Sequence, residues 1–245
     1  MFFKRKAILL IHGFVGGIYD FDNLPNELEL IWDYDVYTFT LPSHEKFIVK
    51  DVKYEDWIKS AEKQIEYLIN HHYKKIYIIG HSMGGVIAAH LASKYKEVKK
   101  LVLAAPAFRY FYFKDGKVSL KGFNETVKNM PNLFKDEGKE KVIERIRKTP
   151  IPTMLEFTKL VDKYQNDTKK VTCPTLIIHG TADNVVPSEG TEYVHNTICS
   201  KTNILINIKN VTHDCFTKKR KDEVNALIIN FLRKTPHNKN EIIDI

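Results

Sequence analysis

A serine between glycines has the clearest potential for chemistry in this 245-residue sequence. Ser82 lies in Gly80-His81-Ser82-Met83-Gly84, a G-x-S-x-G pattern that follows the apolar run IYII and precedes the helix-like VIAAHLASKYK. Between a strand and a helix, this pattern holds the serine in a strained, exposed position, and the flanking glycines leave the room it needs. The pattern predicts that the Ser82 hydroxyl is a nucleophile, and a purely structural turn is the competing interpretation.

A nucleophilic serine requires two further side chains. The hydroxyl is weak at neutral pH and needs a base, which in turn needs an orienting acid. In an open parallel sheet such groups follow the carboxyl ends of later strands. Asp183 follows the apolar run in TLIIHGTADNVVP, and His213 follows the one in ILINIKNVTHDCF. The chain order Ser82, Asp183, His213 is the order expected for a nucleophile on this kind of turn. We therefore predict a catalytic triad of these three residues.

Acyl transfer to a serine also needs hydrogen-bond donors for the developing oxyanion. One donor is expected from the backbone N–H of the residue after the nucleophile, which is Met83. The other is expected from the loop after an earlier strand. The run AILLIHGFVGG ends in His12-Gly13-Phe14, so the Phe14 N–H is the predicted second donor.

Other acids and histidines near these motifs have plainer interpretations. Asp183 itself could cap the following helix, a common role of aspartate. His12 and His81 are expected to shape turns, His179 to lie in the core, and His44 to lie on the surface or in a loop. Three other acids lie near the motifs but do not follow the appropriate strand: Asp20, Asp22 and Asp214.

Six short apolar runs are expected to be the strands that position these residues. Most lack a clean alternation, which suits strands covered on both faces of a parallel sheet. The runs are Ala7–Ile11, Val36–Thr40, Ile76–Ile79, Leu101–Ala105, Thr175–His179 and Ile204–Ile208. Between them, apolar residues recur at the three- and four-residue spacing of amphipathic helices. The alternation predicts an α/β fold, a mostly parallel sheet with helices on both faces.

One long segment interrupts this alternation. Between Phe108 and about Lys170 there is an aromatic run, FRYFYF, followed by charged helical patterns and three prolines, but no convincing buried strand. The segment is too long for a plain connection. We predict that residues 108–170 are a small helical cap insertion, not an independent domain, in a core formed by residues 1–107 and 171–245. The aromatic run could pack the core of the insertion, line an acyl pocket or touch a membrane surface.

Composition and charge restrict the class of protein. With 43% hydrophobic and 28% charged residues, the chain is typical of a soluble globular protein. The net charge of +8 comes from scattered lysines without a nucleic-acid-binding signature, so we expect a solvated basic surface and no nucleic acid as partner. Oligomeric state is left open by the sequence. Only the tail TPHNKNEIIDI is expected to be disordered.

The apolar and cysteine contents indicate a location. No run approaches the ~18 apolar residues of a membrane-spanning helix, so no stable membrane insertion is expected. The start, MFFKRKAILLIHGF, imitates a secretory signal, but its apolar run is too short. The three cysteines, Cys173, Cys199 and Cys215, have no metal-ligand spacing and suggest reduced thiols. These features predict a cytoplasmic protein.

Four motifs together resemble the α/β-hydrolase superfamily over most of the chain: LLIHGF, GHSMGG, HGTADNVVP and NVTHD. Within it, the chain is similar to the small bacterial carboxylesterases related to monoacylglycerol lipases. The resemblance implies hydrolysis of short or medium acyl esters without a cofactor or metal, with a small-molecule ester as substrate. It also assigns the nucleophile to Ser82, the acid to Asp183, the base to His213, and the oxyanion donors to Phe14 and Met83.

The leading hypothesis is therefore a serine carboxylesterase that forms an acyl-enzyme. Monoacylglycerol lipases, thioesterases, C–C bond hydrolases, peptidases and acyltransferases share the same machinery, and a fold alone does not separate them. An aspartate at position 82 would have pointed to halide or epoxide chemistry. The rival from another class is a non-catalytic ligand receptor on the same scaffold, which usually lacks part of the triad or of the oxyanion loop.

Overall fold

A seven-stranded parallel sheet forms the centre of the molecule. The computed structural model describes residues 6–31, 33–109, 144–145, 147–183, 185–217 and 220–245, together with the backbone of 113–114 and 117–118. The strand order is β2-β1-β3-β4-β7-β8-β9, and every neighbouring pair is parallel. The strands are β1 Lys6–Ile11, β2 Tyr34–Thr38, β3 Ile76–His81, β4 Val98–Ala104, β7 Thr175–Gly180, β8 Asn203–Ile208 and β9 Asn240–Asp244. The predicted parallel α/β fold and its six strands are confirmed.

Helices cover both faces of this sheet. They are α1 Leu24–Glu29, α2 Tyr54–Asn70, α3 Met83–Lys94, α4 Ile151–Tyr164, α5 Ser188–Thr197 and α6 Lys221–Arg233. Within β1, Ala7, Leu9 and Ile11 pack with α2 to α5 on one face, whereas Ile8 and Leu10 pack with α1 and α6 on the other. Both faces of the strand are buried, and that is why its sequence is continuously apolar.

The prediction that the tail of the chain is disordered is wrong, because the tail contains a strand. Residues 240–244 form β9, which pairs in parallel with β8 from Asn203↔Asn240 to Asn207↔Asp244. The Asn207 side chain donates a hydrogen bond to the Asp244 carboxylate at 2.8 Å. As an edge strand, β9 has one half-buried face and one exposed face, so it contains no continuous apolar run that would reveal it.

About half of the predicted cap insertion lies outside the described residues. Its described part contains a short antiparallel pair, β5 Phe113–Lys114 with β6 Lys117–Val118, and helix α4. Helix α4 begins after Pro150 and packs against α2 and α3. Of the aromatic run, Phe108 is fully buried in the core, and residues 110–112 lie outside the described set. Among the helices that the structure describes, none has the length and apolar character needed to cross a bilayer.

Candidate active site

Ser82 occupies a tight turn between β3 and α3. Its backbone has φ 53° and ψ −118°, a strained conformation for a residue with a side chain, as predicted. A Cβ on Gly84 would lie 2.0 Å from the Ile11 carbonyl oxygen, so only glycine lets α3 approach the end of β1 this closely. The expectation of an exposed serine is wrong, because only 8% of Ser82 is accessible. The Gly13 loop and His213 pack against it, so its hydroxyl lies at the floor of the site.

The structure brings Ser82, His213 and Asp183 into one hydrogen-bonded chain. The Ser82 Oγ lies 3.0 Å from His213 Nε2, and His213 Nδ1 lies 2.8 Å from Asp183 Oδ2. An ionised carboxylate only accepts hydrogen bonds, so Nδ1 carries a proton and the Nε2 lone pair faces the Ser82 hydroxyl. In this tautomer the imidazole can accept a proton from the serine.

Asp183 is held in its charged form. Its side chain is fully buried, and burial by itself would raise the pKa of the carboxyl. The charge interaction and hydrogen bond with His213, and the N–H groups of Val185 and Val186 at 2.8 and 2.9 Å, outweigh burial and lower the pKa. Helix α5 starts only after Pro187, so Asp183 stabilises the turn before the helix and does not cap it.

The loops after β7 and β8 meet because the two strands are neighbours in register. Gly180 at the end of β7 pairs with Ile208 at the end of β8. Beyond them, the Ala182 N–H donates to the Val211 carbonyl at 2.9 Å, and a Cβ on Gly180 would lie 2.2 Å from that same oxygen. This contact holds the two loops together and sets the separation between Asp183 and His213.

The predicted oxyanion donors lie on either side of the serine. Met83 is the first residue of α3, and N–H groups in a first helical turn have no acceptor within the helix. The Gly13 loop packs against the nucleophile, since a Cβ on Gly13 would lie 3.1 Å from Ser82 Cβ. Within the described part of the chain, the N–H of the next residue, Phe14, has no acceptor. Among the described residues neither N–H has a hydrogen-bond acceptor, and their role as oxyanion donors stays a prediction.

His44 lies in a loop, as expected, but it is buried and not at the surface. Its Nδ1 bonds to the Pro42 carbonyl at 3.1 Å, and its Nε2 accepts the Val15 N–H at 3.2 Å. These bonds support the loop after β1 and require a neutral imidazole with one proton, on Nδ1. Burial and the neighbouring His12 lower the pKa of His44 to about 3. The Val15 N–H that His44 supports is 29 residues away in sequence, so no local pattern could reveal this role.

This burial predicts a pH dependence of stability. The unfolded chain binds a proton at His44 below pH ~6.5, whereas the folded state does not down to a pH of about 3. The stability that neutral His44 contributes is therefore present above pH ~6.5 and lost as the pH falls toward 3. We expect urea unfolding to show that the free energy of unfolding rises less steeply with pH in His44→Gln than in wild type. Between about pH 4 and about pH 6 the difference in slope should be up to about 1.4 kcal/mol per pH unit. Parallel profiles for the two proteins would contradict this assignment.

Residues 4–220 match the protein family described as serine aminopeptidase, S33. The chain is 25% identical to a carboxylesterase of Bacillus subtilis (strain 168) over 237 residues, covering 94% of this chain and 93% of that one. It is 24% identical to a thermostable monoacylglycerol lipase of Bacillus sp. (strain H-257), covering 84% and 82%.

A solved structure is similar over nearly the whole chain. The structure of a metagenome-derived lipolytic enzyme covers 94% of both chains with a TM-score of 0.73 and 21% identity. At this identity the likeness concerns the fold, which is that of the α/β-hydrolases. The resemblance inferred from the four sequence motifs is thereby confirmed.

Proposed function

The chain belongs to the serine aminopeptidase S33 family of α/β-hydrolases, and from this premise we propose that it is a serine carboxylesterase for short- to medium-chain acyl esters. Membership of this family makes the protein a serine hydrolase. We propose in addition that the bond it cleaves is a carboxylic ester and that the acyl group is short or medium in length. The observation that carries it is the hydrogen-bonded chain from Ser82 through His213 to Asp183. An uninterrupted chain of this kind favours catalysis over the receptor hypothesis.

The proposed first half-reaction forms an acyl-enzyme. Ser82 Oγ attacks the ester carbonyl carbon while its proton moves to His213 Nε2, and the carbonyl oxygen becomes an oxyanion bound by the Phe14 and Met83 N–H groups. Asp183 stabilises the imidazolium and does not take up the proton. The C–O bond to the alcohol then breaks, and Nε2 returns the proton to the departing oxygen.

Water completes the proposed cycle. His213 accepts a proton from water as the water oxygen attacks the acyl carbon, and the same donors bind the second oxyanion. The bond to Ser82 breaks, the serine regains its proton, and a carboxylic acid leaves. Each step uses this chain's own side chains, its backbone amides and one water molecule.

Apolar contacts near the oxyanion loop support an acyl substrate. The Phe14 ring stacks on Phe157 of α4 at 5.3 Å and meets Trp57 edge-on at 5.8 Å. The Arg145 guanidinium, which belongs to the predicted cap, donates to the carbonyl oxygens of His44 and Lys46 at 3.3 and 3.1 Å. We propose that residues 108–170 cover the site and that α4 supplies one apolar wall for the acyl chain.

Partners and location are also proposals. The basic surface is proposed to remain solvated, with a small acyl ester as the only required partner. All three cysteines lie within the described residues and are free thiols, which supports the proposed cytoplasmic location.

A panel of p-nitrophenyl esters of increasing acyl length tests the proposal. We expect prompt hydrolysis of short and medium esters, a maximum at one chain length, and a decline for long chains that exceed the apolar wall. A monoacylglycerol and an aminoacyl p-nitroanilide serve as matched substrates for the lipase and aminopeptidase alternatives. Faster turnover of the anilide than of every ester would contradict the carboxylesterase assignment.

A further inference from the structure

A second buried histidine lies directly beside the nucleophile. The side chain of His81, the residue before Ser82, is 5% exposed, and Nε2 is 3.0 Å from the backbone carbonyl oxygen of His213. On its other side, Nδ1 is 3.6 Å from the Asp20 carboxylate, whose side chain is 13% exposed. The rings of Phe21 and Phe216 meet the imidazole edge-on and exclude solvent. His81 thus joins two segments that the proposed reaction needs.

The contacts of His81 determine its protonation. A carbonyl oxygen only accepts hydrogen bonds, so Nε2 carries a proton. If the imidazole were neutral, the lone pair of Nδ1 would face the negative charge of Asp20, an arrangement that favours protonation of both nitrogens. The pKa shifts agree with this state: although burial opposes charging, Asp20 raises the pKa of His81, and His81 lowers the pKa of Asp20.

Asp20 in turn holds the loop that carries Phe14. Its Oδ2 accepts the Gly13 N–H at 3.1 Å, and its Oδ1 accepts the Gly17 N–H at 3.1 Å. The loop is wrapped closely around the carboxylate, since a Cβ on Gly16 would lie 2.0 Å from Asp20 Oδ2. Gly13 directly precedes the proposed oxyanion donor, so a shift of Asp20 would move that N–H.

We propose that His81 and Asp20 form a buried ion pair that positions the Phe14 N–H and the His213 backbone relative to Ser82. The inference rests on the proposed function, because the groups it aligns are those of the proposed acyl transfer. Both are positioning residues, since neither faces the reacting atoms. The arrangement explains why two charged groups are buried next to an already crowded serine, where each alone would be costly.

The competing interpretation is that the pair only stabilises the fold. A partly buried histidine on α3 provides a matched comparison. His90 bonds to Asp167 at 2.7 Å and lies 3.4 Å from Glu62, and its side chain is 12% exposed. Replacing either histidine with leucine breaks a histidine–carboxylate contact, but only His81 touches the oxyanion loop and the His213 segment.

The test compares His81→Leu with His90→Leu, using turnover and inhibitor affinity corrected for the folded fraction. A trifluoromethyl ketone adds to the serine and forms an oxyanion, whereas the matched methyl ketone binds without one. For His81→Leu we expect kcat to fall about 10- to 100-fold with KM within about 3-fold, since losing a whole oxyanion donor costs about 10²- to 10³-fold. The trifluoromethyl ketone should lose about 10-fold or more in affinity, and the methyl ketone much less.

Two further variants keep the test decisive if His81→Leu does not fold. His81→Gln retains a donor for the His213 carbonyl without the charge and should recover part of the lost kcat. Asp20→Asn should lower kcat on its own, but little when added to His81→Gln, because the pair acts as a unit. Equal kcat and inhibitor affinities for the His81 and His90 variants, or fully additive effects of Asp20→Asn and His81→Gln, would overturn the proposal.

Failure of the proposed function can be told apart from failure of this inference. A fluorophosphonate modifies an activated serine without needing the natural substrate. If wild type hydrolyses no ester but is labelled at Ser82, the carboxylesterase assignment fails, and the labelling rate still tests the ion pair. We then expect the rate of labelling at Ser82 to be at least about 10-fold lower in His81→Leu than in wild type and unchanged in His90→Leu. Equal labelling rates in the two variants would overturn the ion-pair proposal alone.

Discussion

Replacing Ser82 with alanine is expected to lower kcat for p-nitrophenyl ester hydrolysis by at least about 10⁴-fold, because no covalent route remains. The Oγ atom is the only hydroxyl in the hydrogen-bonded chain that includes His213 and Asp183. The substitution removes one buried oxygen at a turn whose backbone is set by neighbouring glycines, so folding should be retained. Stopped-flow or continuous absorbance at several enzyme concentrations measures the residual rate.

Ser93→Ala is the matched control for this substitution. Ser93 lies near the end of α3, the helix that follows Ser82, and its hydroxyl donates to the His90 carbonyl at 2.7 Å, far along the helix from the turn. We expect wild-type turnover in this variant. Hydrolysis by Ser82→Ala that scales with enzyme concentration and stays within about 10-fold of wild type would show that another group attacks the ester.

Asp183→Asn is expected to lower kcat about 10⁴-fold with little effect on folding. The asparagine side chain can retain acceptor contacts with the Val185 and Val186 N–H groups, but its amide would present a donor to His213 Nδ1. The imidazole would then favour the tautomer protonated on Nε2, which cannot accept the serine proton. Turnover and thermal unfolding of the purified variant measure the two effects separately.

A partly buried carboxylate elsewhere in the fold controls for the loss of charge. Asp167 bonds to His90 at 2.7 Å, so Asp167→Asn changes a comparable histidine–carboxylate hydrogen bond away from the serine. We expect a lower unfolding midpoint but unchanged kcat. Near-normal turnover in Asp183→Asn would mean that a different carboxylate orients His213.

The strands and the serine turn could be predicted because their signals are local. Strands buried on both faces are continuously apolar, and the G-x-S-x-G turn needs its glycines within two residues of Ser82. Asp183 and His213 could be predicted because each directly follows one of these strands. The edge strand β9 could not, since only one of its faces is half-buried and its sequence is mixed.

The groups that support the site could not be predicted from the sequence, because their partners come from distant segments. His44 reaches the Val15 N–H across 29 residues, and His81 reaches the His213 carbonyl across 132. Asp20 follows the wrong strand for a triad acid, but its position in the sequence is compatible with holding the Gly13 loop. Such contacts depend on packing between loops, which residue type and spacing do not encode.

The most direct test of the account is to treat the wild-type protein with a fluorophosphonate and map the adduct by peptide mass spectrometry. Activation of Ser82 by His213 predicts one stoichiometric adduct, located on Ser82 and strongly reduced in His213→Ala. An adduct on any other residue, or no adduct on a fully folded protein, would contradict the claim that this serine is a nucleophile.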